Sequence, residues 1–121
     1  MYRHVKGFRK TLQTIIMKLP GFGNIVIYRE VTMFTKTFAS LLNHNVFITD
    51  SMEILSSVSN NEVFKDIISD SLEYLSKGAK ISDAFEDKWA FPIVAYEMLV
   101  TGENTGRLPM MMSYVADYYG D

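Results

Sequence analysis

Residues 24–44 read NIVIYREVTMFTKTFASLLNH, and the spacing of their apolar side chains decides the fold. Ile27, Val31, Phe34, Phe38 and Leu41 recur at steps of four, three, four and three, which aligns them along one side of an α-helix. Arg29 and Lys36 fall off that stripe. The helix is expected to end near His44. Asn45 then suits the left-handed position that closes a helix, because asparagine tolerates positive φ better than other side chains do.

The same period continues towards the C-terminus. A second, short helix is expected from Thr49 or Asp50, with Asp50 and Glu53 spaced as a capping box and Met52, Ile54, Leu55 and Val58 as its apolar set. Asn60 is expected to cap a third helix carrying Val63, Phe64, Ile67, Ile68, Leu72 and Leu75, stopped at Gly78. Ser82 opens a very short fourth through Ala84 and Phe85. Pro92 fits the first turn of a fifth, where its missing N–H costs nothing; that helix holds Ile93, Val94, Met98, Leu99 and Val100 and runs into Gly102. Pro109 starts a sixth, with Leu108, Met111, Met112, Val115 and Tyr118 on one side. No segment alternates with a period of two, so no sheet is expected. The predicted class is all-α: a compact antiparallel bundle of about six short helices.

Upstream, Val5, Phe8, Leu12, Ile15, Ile16 and Leu19 recur at helical spacing over residues 3–19. Leu19-Pro20-Gly21-Phe22-Gly23 then breaks propagation. Residues 1–23 are therefore read as a basic amphipathic arm and residues 24–121 as the helical domain. The arm holds most of a marked charge asymmetry: residues 1–29 contain Arg3, Lys6, Arg9, Lys10, Lys18 and Arg29 and no acid. The rest of the chain carries the other six bases and all 14 acids. An acidic body of this kind repels nucleic acid, so the arm is better matched to an anionic membrane surface than to phosphodiester. The plainer reading is an ordinary solvated helix face.

At 121 residues, with 48% hydrophobic and 21% charged side chains, the chain has enough apolar material for a core. Without cysteine it has no disulfide, zinc–thiolate or thiol-nucleophile chemistry. The longest apolar stretches, such as Phe91 to Val100 with Glu97 inside it, fall short of the roughly 20 residues that cross a bilayer. Lys18 and Pro20 interrupt what might otherwise read as a secretory leader.

A catalytic constellation is not apparent. His4 lies in the arm and His44 at a helix end, where the helix dipole favours a cation; neither sits in a motif with a nucleophile and a carboxylate. There is no phosphate-binding loop and no dinucleotide fingerprint, so neither an enzyme nor a cofactor is expected. Asp83, Glu86 and Asp87 read as a solvated acidic face, with a contribution to a hard-cation site as the sharper alternative; no metal ligand is assigned. The most unusual local signal is Thr101-Gly102-Glu103-Asn104-Thr105-Gly106-Arg107-Leu108, followed by Pro109. Two glycines four apart between helical segments describe a sharp connection that needs positive φ or close backbone approach. Glu103 is then either an acceptor that ties down the turn or an exposed contact for a partner. Met110, Met111 and Met112 point in three directions on a helix, so one is expected at the surface, where methionine suits an adaptable contact, or else all three are packed.

Taken in order, these connections resemble the type II secretion system F domain, found in inner-membrane platform proteins of type II secretion and type IV pilus assembly. The matching pieces are Leu19-Pro20-Gly21-Phe22-Gly23, Phe34 to Leu42, Asn60, Gly78 with Ile81 to Phe85, Phe91-Pro92, Gly102 to Leu108, and Ala116-Asp117-Tyr118-Tyr119. The chain departs from the family at His44-Asn45-Val46-Phe47, where alanine-glycine-valine-proline is usual, and at Pro109. The resemblance implies one cytoplasmic domain of a multi-pass inner-membrane protein, or a naturally short member. It also implies no catalysis and no cofactor. The implied partners are the assembly ATPase, pilins or pseudopilins and other inner-membrane assembly proteins, with homo-oligomerisation and no nucleic acid. Pro20, Gly23, Gly78, Pro92, Gly102, Glu103, Gly106 and Leu108 are the residues expected to shape the motif or meet a partner. A soluble helical adaptor unrelated to membranes is the competing expectation, and a small helical enzyme or nucleic-acid binder the third.

Overall fold

A computed structural model describes residues 2–19 and 22–120. Among these residues there are seven helices and no strand: α1 (Tyr2–Lys18), α2 (Phe22–Asn43), α3 (Ile48–Val58), α4 (Glu62–Ser76), α5 (Ser82–Phe85), α6 (Ile93–Thr105) and α7 (Leu108–Gly120). None of them is long and apolar enough to cross a membrane.

The bundle is organised around α2, which packs against α1, α3 and most extensively α7; α6 pairs with α7, and α3 with α4. The stripe read from residues 24–44 is the reason. Val31, Phe34 and Phe38 are buried at its centre, with Ile27 and Leu41 partly covered at its ends. Met52, Leu55, Phe64, Ile67, Ile68, Leu99, Met112 and Val115 close around them. Burying a side chain of this size contributes roughly 1.5–3 kcal/mol, far more than the helix propensities of these short segments.

Phe34 is also the hub of an aromatic cluster. Its ring lies 5.7 Å from Phe38, 5.4 Å from Phe85 and 6.2 Å, edge-on, from Phe91, and Phe85 and Phe91 are 4.6 Å apart. These tilted and edge-on arrangements suit the aromatic quadrupole. They pin the four-residue α5 and the chain after it to α2.

Several boundaries differ from the sequence expectation. Asn61, not Asn60, caps α4: its Oδ1 accepts from the N–H groups of Val63 at 3.0 Å and Phe64 at 3.1 Å. Either of two adjacent asparagines satisfies the sequence rule; Asn61, with an extended backbone, takes the role. The expected Asp50–Glu53 box is absent. α3 begins at Ile48, its N-cap is Phe47 with no side-chain cap, and Asp50 lies in the first turn, where its charge still favours the helix dipole. α6 does not stop at Gly102 but continues to Thr105. Ile93 and Val94, expected among its core residues, are exposed, as is Tyr118 of α7. Asn45 has φ 64 and closes α2.

α1 turns an unexpected side to the body. Its contacts run through Met17, which is buried, and Gln13, whose Oε1 accepts the Glu62 N–H at 2.7 Å. Arg9 donates to the Asn60 carbonyl at 3.2 Å, Lys10 pairs with Asp66, and the Asn61 amide reaches the Met17 sulfur at 3.3 Å. Phe8, Leu12, Ile15 and Ile16 of the same helix are exposed.

Candidate functional site

The corner between α6 and α7 is built by a division of labour between its two glycines. Gly106 has φ 70 and ψ 21, the left-handed conformation that glycine adopts without steric cost. Its N–H and that of Arg107 both donate to the Gly102 carbonyl, Arg107 at 3.0 Å, so the last turn of α6 is closed. Gly102 sits inside the helix and serves a different purpose. A Cβ there would stand 2.9 Å from Leu108 Cα and 3.2 Å from Met111 Cβ, so only a glycine lets α7 lie this close to α6. Leu108 begins α7 buried in the core, and Pro109 follows in the first turn where no N–H is required.

Glu103, half-buried between these glycines, does not bond within its own turn. Its Oε2 accepts from the Ile81 N–H at 3.0 Å and its Oε1 from the Ser82 N–H at 3.2 Å. Those are orphan donors at the start of α5, and a carboxylate is their strongest neutral-pH acceptor. Beside it the Lys80 ammonium bonds Asn104 Oδ1, and the Lys80 N–H donates to Asp83 at 3.3 Å. The segment Gly102 to Leu108 therefore clamps α5 as well as turning the chain.

The other expected motif residues stand at separate junctions. Gly78 has φ 79 and ends α4, with its N–H on the Leu75 carbonyl. Pro92 is the N-cap of α6, and its carbonyl accepts the Tyr96 N–H at 3.0 Å. Gly23 lies against the Met17 backbone so tightly that no Cβ fits, which fixes the approach of α1 to α2. Pro20 lies outside the described residues. Asn61 and Gln13 were missed as anchors. The tandem Asn60-Asn61 was a visible cue for the first; Gln13 bonds a residue 49 positions away and left no local sign.

Titration is perturbed at few groups. Burial pushes the Glu30 carboxyl up from the ordinary carboxylate range, against the opposing pull of Arg29. Desolvation raises Tyr96, and Glu86, Glu97, Asp83 and Asp87 raise it further, which marks one acidic face shared by α5 and α6. His44 is exposed and its Nδ1 donates to the Ser40 carbonyl at 2.7 Å, a helix-end role. Among the described residues no three acids or histidines converge in a way that holds a metal ion. Of the three consecutive methionines, Met112 is buried, Met111 partly so and Met110 exposed.

The family profile described as type II secretion system (T2SS), protein F, matches residues 34–121. The chain is 33% identical over 119 residues to a type IV pilus assembly protein PilC of Pseudomonas aeruginosa, covering 98% of this chain and 32% of that protein. It is 30% identical over 112 residues to a type IV pilus assembly protein PilC of Thermus thermophilus, covering 92% of this chain and 28% of that protein. A type II secretion system protein F of Aeromonas hydrophila is 24% identical over 109 residues, covering 90% of this chain and 28% of that protein. The chain thus spans about a third or less of the length of these relatives.

Proposed function

The chain belongs to the type II secretion system protein F family, and from that premise we propose that it is a cytoplasmic domain of an inner-membrane platform for type IV pilus or type II secretion assembly. In this reading residues 24–121 form the domain that docks the assembly ATPase and other machine components, and residues 1–23 are a juxtamembrane arm. The work is mechanical: the bundle is held by partners and passes on their displacement. The observation that carries the reading is the family match over residues 34–121, which takes in every helix from α3 to α7 and the C-terminal part of α2.

Two further features support it. The α6–α7 corner and its Glu103 clamp make α5 move with α6, as suits a module that transmits force without internal slack. The basic residues of the arm, with no acid before Glu30, match the anionic lipid beside which a juxtamembrane segment lies. Higher identity to the two pilus proteins compared than to the secretion protein favours the pilus branch.

The test is a titration of the purified chain with its cognate assembly ATPase, followed by isothermal calorimetry or fluorescence anisotropy. Saturable binding with defined stoichiometry is the expected result. No binding to the ATPase, together with no recovery of pilins or pseudopilins in crosslinks from native membranes, overturns the proposal in favour of an unrelated helical adaptor.

A further inference from the structure

Among the described residues one face of α1 has no partner within the bundle, and it is the apolar one. Phe8, Leu12, Ile15 and Leu19 follow one another at steps of four, three and four, and Ile16 lies beside them. All are exposed, Phe8 at 65% and Ile15 at 54%, whereas Met17 on the opposite side is 3% exposed against α2 and α4. The helix thus presents its weaker, mixed side to its own body and its continuous apolar stripe to the outside. Isolated exposed apolar residues are ordinary on a surface; a contiguous stripe along one helix is an interaction face.

Charge selects what covers it. Arg9 and Lys18 are exposed at the two margins of the stripe, and the stretch from residue 1 to 29 has no acid. A second copy laid stripe to stripe would bring two basic margins together without a counter-charge. An anionic lipid surface supplies both an apolar layer and phosphate charge. Trp89 stands at the same edge, half-exposed, with the Lys18 ammonium 4.8 Å from its ring centroid, a pairing of indole and lysine that suits the boundary between headgroups and acyl chains.

We propose that α1 is an in-plane interfacial helix: it lies in the surface of an anionic bilayer with Phe8, Leu12, Ile15 and Leu19 among the acyl chains and Arg9 and Lys18 among the phosphates. The proposal rests on the juxtamembrane placement put forward above and adds to it the contact that holds the domain to the membrane by its side. Met17 and Gln13, locked to α2 and α4, then set the domain's orientation relative to the lipid plane.

The experiment is sedimentation of the full 121-residue chain with vesicles of phosphatidylcholine alone or mixed with phosphatidylglycerol, read also by the emission of Trp89, the chain's one tryptophan. Two variants are compared, Leu12→Gln with Ile15→Gln, and Arg9→Gln with Lys18→Gln; unchanged helicity and thermal midpoint show that each has folded. The expected result is binding to the mixed vesicles with a blue shift of the tryptophan emission. Affinity should fall at least about tenfold in the stripe variant, as follows from losing two buried aliphatic side chains, and the wild type should bind phosphatidylcholine more weakly. A stripe variant that binds as tightly as wild type overturns the in-plane helix; if the charge variant then loses binding, the juxtamembrane reading stands without it. A wild-type chain that binds neither vesicle overturns both. A chain that self-associates through the stripe and ignores vesicles overturns the proposal in favour of a second copy.

Discussion

Both carboxylate oxygens of Glu103 are taken up by backbone N–H groups 21 and 22 residues earlier in the chain. Glu103→Ala leaves those part-buried donors without an acceptor and should lower unfolding free energy by about 2 kcal/mol, while Glu103→Gln, keeping one strong acceptor oxygen, should lose roughly half of that. Urea denaturation checks both. The two glycines of the corner should respond differently to substitution. Gly102→Val drives a branched side chain into Leu108 and Met111 and should cost about 3 kcal/mol. Gly106→Asn keeps a residue that accepts positive φ and should cost less than about 1 kcal/mol. Glu30 carries a pH dependence of definite sign. Burial raises its pKa above the ordinary 4.5, so at low pH it is neutral in both folded and unfolded states and contributes nothing. As pH climbs past the ordinary value the unfolded chain ionises first, and stability falls until the folded group ionises too. Glu30→Gln should therefore match wild type in acid and exceed it near neutral pH, as thermal midpoints measured across that range will show. The sequence displayed the glycines and Glu103 as unusual; it offered no sign of the donors Glu103 would reach, because they lie at the start of α5 and are brought near only by folding.

Among the elements, α5 depends most on its surroundings. A four-residue helix does not survive the cost of its own nucleation, so its existence rests on the Glu103 clamp and on Phe85 packed against Phe34 and Phe91. Phe85→Ala should cost about 4 kcal/mol and raise amide exchange across residues 81–92 more than in α3 or α4, a pattern that exchange mass spectrometry resolves. The helices of the core were legible because burial imposes a period of 3.6 on a segment whose one face is covered. The ends were less so. Asn60 and Asn61 satisfy the same capping rule, and Phe47 caps α3 with no side-chain bond at all, which no propensity rule selects. In α6 the period was misleading in part: Ile93 and Val94 look like core residues, yet the core side of the helix is set by Ala95, Leu99 and Gly102, of which Gly102 lets α7 approach.

At the scale of the whole molecule the open matter is how far α1 is part of the body. Residues 24–121 without the arm should still fold cooperatively to a helical state, less stable than the full chain by about 3 kcal/mol from the lost burial of Met17 and the lost acceptor for the Glu62 N–H. A chain shortened in this way that shows no cooperative transition by circular dichroism would make α1 integral to the domain. By itself the sequence determined the all-α class, the central helix, the succession of the helices and the concentration of basic charge before Glu30, since each of these follows from local spacing and composition. Only the tertiary structure decided which face of α1 meets the body, which asparagine caps α4, and that Glu103 holds α5. Those outcomes depend on competition among partners distant in sequence. A helix turns inward whichever side makes the better contacts there, and for α1 that side carries Met17 and Gln13, leaving its aliphatic stripe facing outward.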